Sequence, residues 1–235
     1  MRKHYIALVF FAGLGVCRAQ VLGGNPFNAP FFYVDAPSAD NAATQAPTAD
    51  QTVSLARLRH RIPGKALAAF ERALKFARRQ EWQQGAKELE TSVKLDPDFS
   101  DAHGNLGTYY LVLGRLNDAI MELHRAIALD SSVSLNHSNL ALAYLMRRDR
   151  SEARMEAETA VALDSTNMKG QYLLGALLAQ DTNEQTKAQK HLTFAAREIP
   201  EAHLVLRALY RQAGDDAMAA KELQQYKKAI SKLGK

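Results

Sequence analysis

Residues 100–133 read SDAHGNLGTYYLVLGRLNDAIMELHRAIALDSSV, and this stretch decides the fold because the next one copies it. Leu106, Tyr110, Ala119, Leu123, Ala126 and the closing Leu129-Asp130 have counterparts in Leu140, Tyr144, Ala153, Ala157, Ala160 and Leu163-Asp164. From Leu106 to Leu140, and from Ala119 to Ala153, the step is 34 residues. A fixed step of that length marks a unit that cannot bury its apolar face alone and stacks on copies of itself. Within a copy the apolar side chains recur at helical spacing, as in Leu67, Phe70, Ala73, Leu74 and Ala77.

The copies resemble the tetratricopeptide repeat. That family's pattern runs Trp-x-x-Leu-Gly-x-x-Tyr, then Ala-x-x-x-Phe, Ala and Pro in 34 positions. Leu106, Gly107, Tyr110, Gly114, Ala119 and Ala126 match it outright. His103 stands in the Trp place, Leu123 in the Phe place and Ser131 in the Pro place. The resemblance implies an all-α fold, a right-handed superhelical solenoid of antiparallel helix pairs. About five repeats are expected: 66–99, 100–133, 134–167, a divergent 168–199, and 200–235 with a capping helix. The fourth carries an extra residue in its turn, Asp181–Thr186, and the fifth keeps Leu206, Tyr210, Gly214 and Ala219.

Small residues are expected to do mechanical work. Gly107 and Ala119 fall where the two helices of a repeat approach most closely. Gly114 and Gly214 are expected to end a helix in the left-handed conformation that glycine tolerates. Gly85 replaces the usual Ala of that close contact, a conservative exchange on size alone.

Ahead of the repeats, Met1–Tyr5 is basic, Ile6–Val16 is an apolar run, and Cys17-Arg18-Ala19 offers small residues for cleavage before Gln20. This is the layout of a secretory signal peptide over residues 1–19. The run is too short to span a bilayer, which takes about 20 apolar residues. The expected location is therefore exported, periplasmic or secreted. An alternative stays open, because Leu14-Gly15-Val16-Cys17 resembles a lipobox, which would make Cys17 the anchor of an outer-membrane lipoprotein. Residues 20–52 form an Ala/Pro-rich leader whose composition favours disorder. Inside it Phe27–Val34 holds four aromatics in eight residues, the pattern of a sticky stretch of linker or of a short docking motif. Residues 53–65 lead into the first repeat.

Composition narrows the function classes. Apolar residues make up 47% of the 235, enough for a core, and the net charge of +5 includes Arg2, Lys3 and Arg18 of the leader. So small a surplus gives no reason to expect nucleic acid as a partner. The single cysteine excludes an internal disulfide. No Gly-x-Ser-x-Gly elbow, phosphate-binding loop or dinucleotide fingerprint occurs, so neither an enzyme nor a small-molecule cofactor is expected. His103, His137 and His203 share one repeat position, but stacked copies lie about 10 Å apart. Zinc needs nitrogen at about 2.0–2.1 Å, so these rings are expected to pack against the preceding helix and hold no metal. Glu88, Glu90 and Glu122 are read as solvated carboxylates of second helices.

A protein or peptide partner remains. The resemblance implies that first helices line a concave face holding an extended peptide or an amphipathic helix. The candidate binding residues are Asn105, Thr108, Leu111 and Val112 in the second repeat, Asn139, Leu142, Leu145 and Met146 in the third, and Tyr172 in the fourth. Asn105 and Asn139 are equivalent, and an amide both donates and accepts, which suits a peptide backbone. The resemblance stops short of the chaperone-type carboxylate clamp, since Phe70, Leu74, Leu135 and Asn139 stand where its basic and amide residues belong and Asn105 alone matches. The expected function is a non-catalytic interaction scaffold of a bacterial envelope. The alternatives are a lipid-anchored assembly factor of pilus or envelope biogenesis, and an accessory module of an envelope enzyme complex.

Overall fold

The computed structural model describes residues 60–233. The signal-like segment, Cys17, the aromatic patch Phe27–Val34 and the leader lie outside the described residues. Ten α-helices and a short 3₁₀ turn account for most of what is described, with no strand among the described residues. They belong to two compact units, residues 60–163 and residues 164–233.

The first unit holds three helix pairs, α1 (Gly64–Arg78) with α2 (Trp82–Leu95), α3 (Ser100–Val112) with α4 (Leu116–Leu129), and α5 (Ser134–Arg147) with α6 (Arg150–Leu163). Within it α2 packs on α3 and α4 on α5. The second unit holds α7 (Met168–Leu178) with α8 (Gln185–Ala195), and α9 (Glu201–Gln212) with α10 (Asp216–Leu233). There α8 packs on α9.

Steric fit between the helices of a pair depends on glycine. A Cβ on Gly107 would stand 2.6 Å from Leu123 Cγ and 3.1 Å from the Ala119 carbonyl. Neither neighbour leaves room, so α3 and α4 meet backbone to side chain at this point. Gly175 does the same on α7, where a Cβ would lie 2.8 Å from Leu192 Cγ. Gly85 is not interchangeable with alanine. The Tyr109 ring, fully buried, lies over it, and an added Cβ would come within 2.6 Å of Cε2. Trp82 meets that ring edge-on with centroids 5.4 Å apart, and the Tyr109 hydroxyl donates to the Ala73 carbonyl at 3.3 Å.

Turns end the helices through backbone conformation and aspartate. Gly114 and Gly214 have φ of +73° and +82°. The same left-handed conformation is taken without glycine by Gln80 (φ 60°) and Arg148 (φ 73°). At the far end of each early repeat the aspartate after leucine folds its own turn. Asp130 Oδ1 accepts from the Ser132 amide at 3.0 Å, and in the second unit Asp164 Oδ1 accepts from the Thr166 amide at 2.8 Å.

Candidate functional site

The helices expected to face a partner are buried around most of their circumference. In α3 nearly every residue from Ala102 to Val112 is buried, and α5 and α7 are alike. Their partners α4 and α6 bury one stripe, Ala119, Ile120, Leu123 and Ala126 in one and Ala153, Ala157 and Ala160 in the other. A helix buried on most sides is a core helix, whereas a striped one borders water.

This places most of the candidate binding residues inside. Thr108, Leu111 and Val112 on α3, and Asn139, Leu142 and Leu145 on α5, are buried, as is Tyr172 on α7 of the second unit. Asn105 and Met146 are half-buried. The expectation of a solvent-facing strip is corrected accordingly, since neighbouring helices cover these side chains. The buried Tyr172 hydroxyl is held well above the ordinary phenol range, first by burial and then by the Glu201 carboxylate. Burial also pushes the half-buried Lys169 ammonium down to about 8.

The two equivalent asparagines do different things. Asn105 donates its amide to the Asp101 carbonyl one turn back on its own helix, at 2.8 Å. Asn139, only 2% exposed, donates to Thr108 Oγ1 at 2.9 Å and so ties α5 to α3. Thr108 in turn donates to the Gly104 carbonyl at 2.9 Å. Gly104 is a packing residue, because a Cβ there would stand 2.5 Å from Asn136 Oδ1. No pair of matching amides stands ready for a peptide backbone.

The histidines also bond within their own pair: His103 Nδ1 lies 2.6 Å from Glu122 Oε2 on α4. Glu122 is thus a buried partner and not a solvated carboxylate. Glu90 likewise accepts from the Tyr110 hydroxyl at 2.8 Å, and Glu88 accepts from Arg72 at 2.7 Å. One sequence pattern could have revealed the first contact, a histidine followed 19 residues later by glutamate, present at 103, 137 and 203. Tyrosine does comparable work between pairs, since Tyr110 reaches Glu90 on α2 and its counterpart Tyr144 meets His124 Nε2 on α4 at 2.8 Å.

A cleft of about 330 Å³ in the first unit is lined by His60, Ile62, Asp98, Phe99, Asp101 and Asp130, among others. Its acidic groups are engaged in holding the turns. His60 meets Asp96 at 2.7 Å, Arg125 donates to Asp98 at 3.0 Å, and Asp130 accepts from both groups of Ser132. Among the described residues no three of His, Cys, Asp or Glu stand close enough together to hold a metal ion. Among them also, no helix is long and apolar enough to cross a membrane.

The family model described as the tetratricopeptide repeat matches residues 88–121, from the second half of α2 through α3 into α4. The crystal structure of MamA superposes with a TM-score of 0.58 at 21% identity, covering 69% of this chain and 96% of that one. MamA from Desulfovibrio magneticus RS-1, residues 41 to the end, gives 0.62 at 16% identity, with 73% and 98% covered. YrrB, described as a tetratricopeptide-repeat protein with an unusual peptide-binding site, gives 0.54 at 16% identity, with 68% and 84% covered. Residues 88–121 thus carry a tetratricopeptide repeat, and the fold is that of a tetratricopeptide-repeat protein. Identities this low carry the fold and nothing finer. No curated protein matches the sequence. Seen as tetratricopeptide repeats, the pairs keep the family's close helix contact through Gly107 and Gly175. Three of them fill the family's Trp place with a histidine that bonds sideways to the second helix.

Proposed function

We propose that this tetratricopeptide-repeat protein is a non-catalytic protein–protein interaction scaffold of a bacterial cell envelope, holding an apolar peptide or an amphipathic helix along α3 and α5. The observation that carries this reading is apolar surface left open on α5, Leu135 at 46% exposure and the half-buried Met146. Leu135, with the half-buried Asn105 and Met146, is where a partner first makes contact. Export is supported by the basic start, the apolar run Ile6–Val16 and the small residues before Gln20.

Photo-crosslinking in cells tests the surface. A reactive residue at position 105, 135 or 146 is expected to capture the same partner, and one at Lys221 on α10 to capture none. Capture independent of position removes the reading. The mass of the mature N-terminus tests the location. Cleavage after Ala19 supports a soluble envelope scaffold, and a lipidated Cys17 supports the anchored assembly factor that the lipobox-like Leu14–Cys17 suggests. A retained Met1 in the native host removes the envelope from the proposal.

A further inference from the structure

Repeats two and three bury a histidine between two acceptors. His103 Nδ1 lies 2.6 Å from Glu122 Oε2, and its Nε2 lies 3.1 Å from the Pro97 carbonyl. His137 copies this, with Nδ1 2.7 Å from Glu156 Oε2 and Nε2 3.2 Å from the Ser131 carbonyl. A carbonyl oxygen only accepts, and so does an ionised carboxylate. Both ring nitrogens must therefore donate, which requires a proton on each. With one proton removed, a nitrogen lone pair would face an oxygen lone pair, and one of the two bonds would be lost.

Repeat four builds the same joint without the extra proton. Gln171 takes the histidine's place, and its Nε2 donates to the Ser165 carbonyl at 2.7 Å. Its Oε1 stands 2.6 Å from Nδ1 of His191, which occupies the side of the glutamate. An amide and a neutral imidazole satisfy every atom there, and burial holds His191 below the ordinary imidazole range, as a neutral ring needs.

We propose that His103–Glu122 and His137–Glu156 are proton-held latches, closing helix pairs two and three while both ring nitrogens are protonated and loosening them as the pH rises. The side chains are well shielded, 10% and 14% exposed in the first pair and 9% and 20% in the second, so water does not replace a lost bond cheaply. Other charges stand nearby. Arg125 of α4 also donates to the Pro97 carbonyl, at 3.3 Å, and pairs with Asp98. Glu122 bears on Tyr110 beside Glu90 and Arg115, while Glu156, Glu152, Asp149 and Arg147 bear on Tyr144. An unfolded histidine gives up its proton above about pH 6.5.

Thermal unfolding of the full chain from pH 5.5 to 9 tests the latch, compared with a variant carrying repeat four's arrangement, His103→Gln with Glu122→His and His137→Gln with Glu156→His. The midpoint of the natural protein is expected to fall by about 2–4 °C more than that of the variant between pH 6 and 9. Parallel profiles overturn the proposal. Should the variant fail to fold, the imidazole nitrogen resonances of the natural protein decide. Protons on both nitrogens of His103 and His137 at pH 7 support the latch, and a ring with one bare nitrogen overturns it.

Discussion

Helix pairs α3–α4 and α7–α8 make the same joint from different chemistry. Each closes on a glycine under a leucine, Gly107 under Leu123 in one and Gly175 under Leu192 in the other. Each also joins its helices by a polar bridge that reaches a carbonyl six residues before the bridging side chain, Pro97 or Ser165. The bridge is a histidine and a glutamate in the first and a glutamine and a histidine in the second. The steric contact is copied closely because dense interiors tolerate little change of volume. The polar contact varies freely, provided donors and acceptors still balance.

The largest effect should come from breaking the copied part. Gly107→Leu is expected to lose ~3 kcal/mol in urea unfolding through overpacking against Leu123. Gly175→Leu should do comparable damage to its own unit, and a Gly175→Leu protein that unfolds like its parent would end the equivalence. Removing one half of a bridge comes next. Glu122→Ala leaves His103 facing no carboxylate and should cost about 1–3 kcal/mol, against ~1 kcal/mol for Gln171→Ala, whose partner is a neutral ring. Equal losses would mean that the charge at His103 contributes nothing.

Smaller effects separate residues that look alike in sequence. Asn139→Ala removes the tie to Thr108 and should cost ~1 kcal/mol. Asn105→Ala gives up a bond within its own helix at a half-buried site and should stay within about 0.5 kcal/mol. Identical melting of the two variants would show that the α3–α5 tie is not structural. Gln80→Gly should raise stability by about 0.5–1 kcal/mol, since an exposed non-glycine residue is held at φ 60° where Gly114 and Gly214 do the same work. A melting point unchanged or lowered by this exchange would place no strain at the turn.

The order of helices, their pairing and the residues at the tight contacts were legible in the sequence. Helical periodicity is local, and the recurrence of Leu106, Gly107 and Ala119 repeats the same local demand. The Leu-Asp ends were visible for the same reason, as Asp130 bonds a backbone amide two residues on. The candidate site was far less legible. Equivalence by position promised two matching amides, yet Asn105 bonds its own helix while Asn139 bonds the next repeat.

What the sequence determined by itself is a stack of helix pairs with small residues where helices meet, because apolar spacing fixes which face of a helix is buried. What only the tertiary structure decided is the partner of each polar side chain. Glu122 turned from a surface charge into the counterpart of His103, and Gly85 from a small residue into the floor under Tyr109. A hydrogen bond depends on which side chain arrives within about 3.5 Å from 19 or 36 residues away, as with His103–Glu122 and Tyr109–Ala73. The repeat's signature positions do not name such partners, because the signature counts residues along one chain while the bonds are made across it.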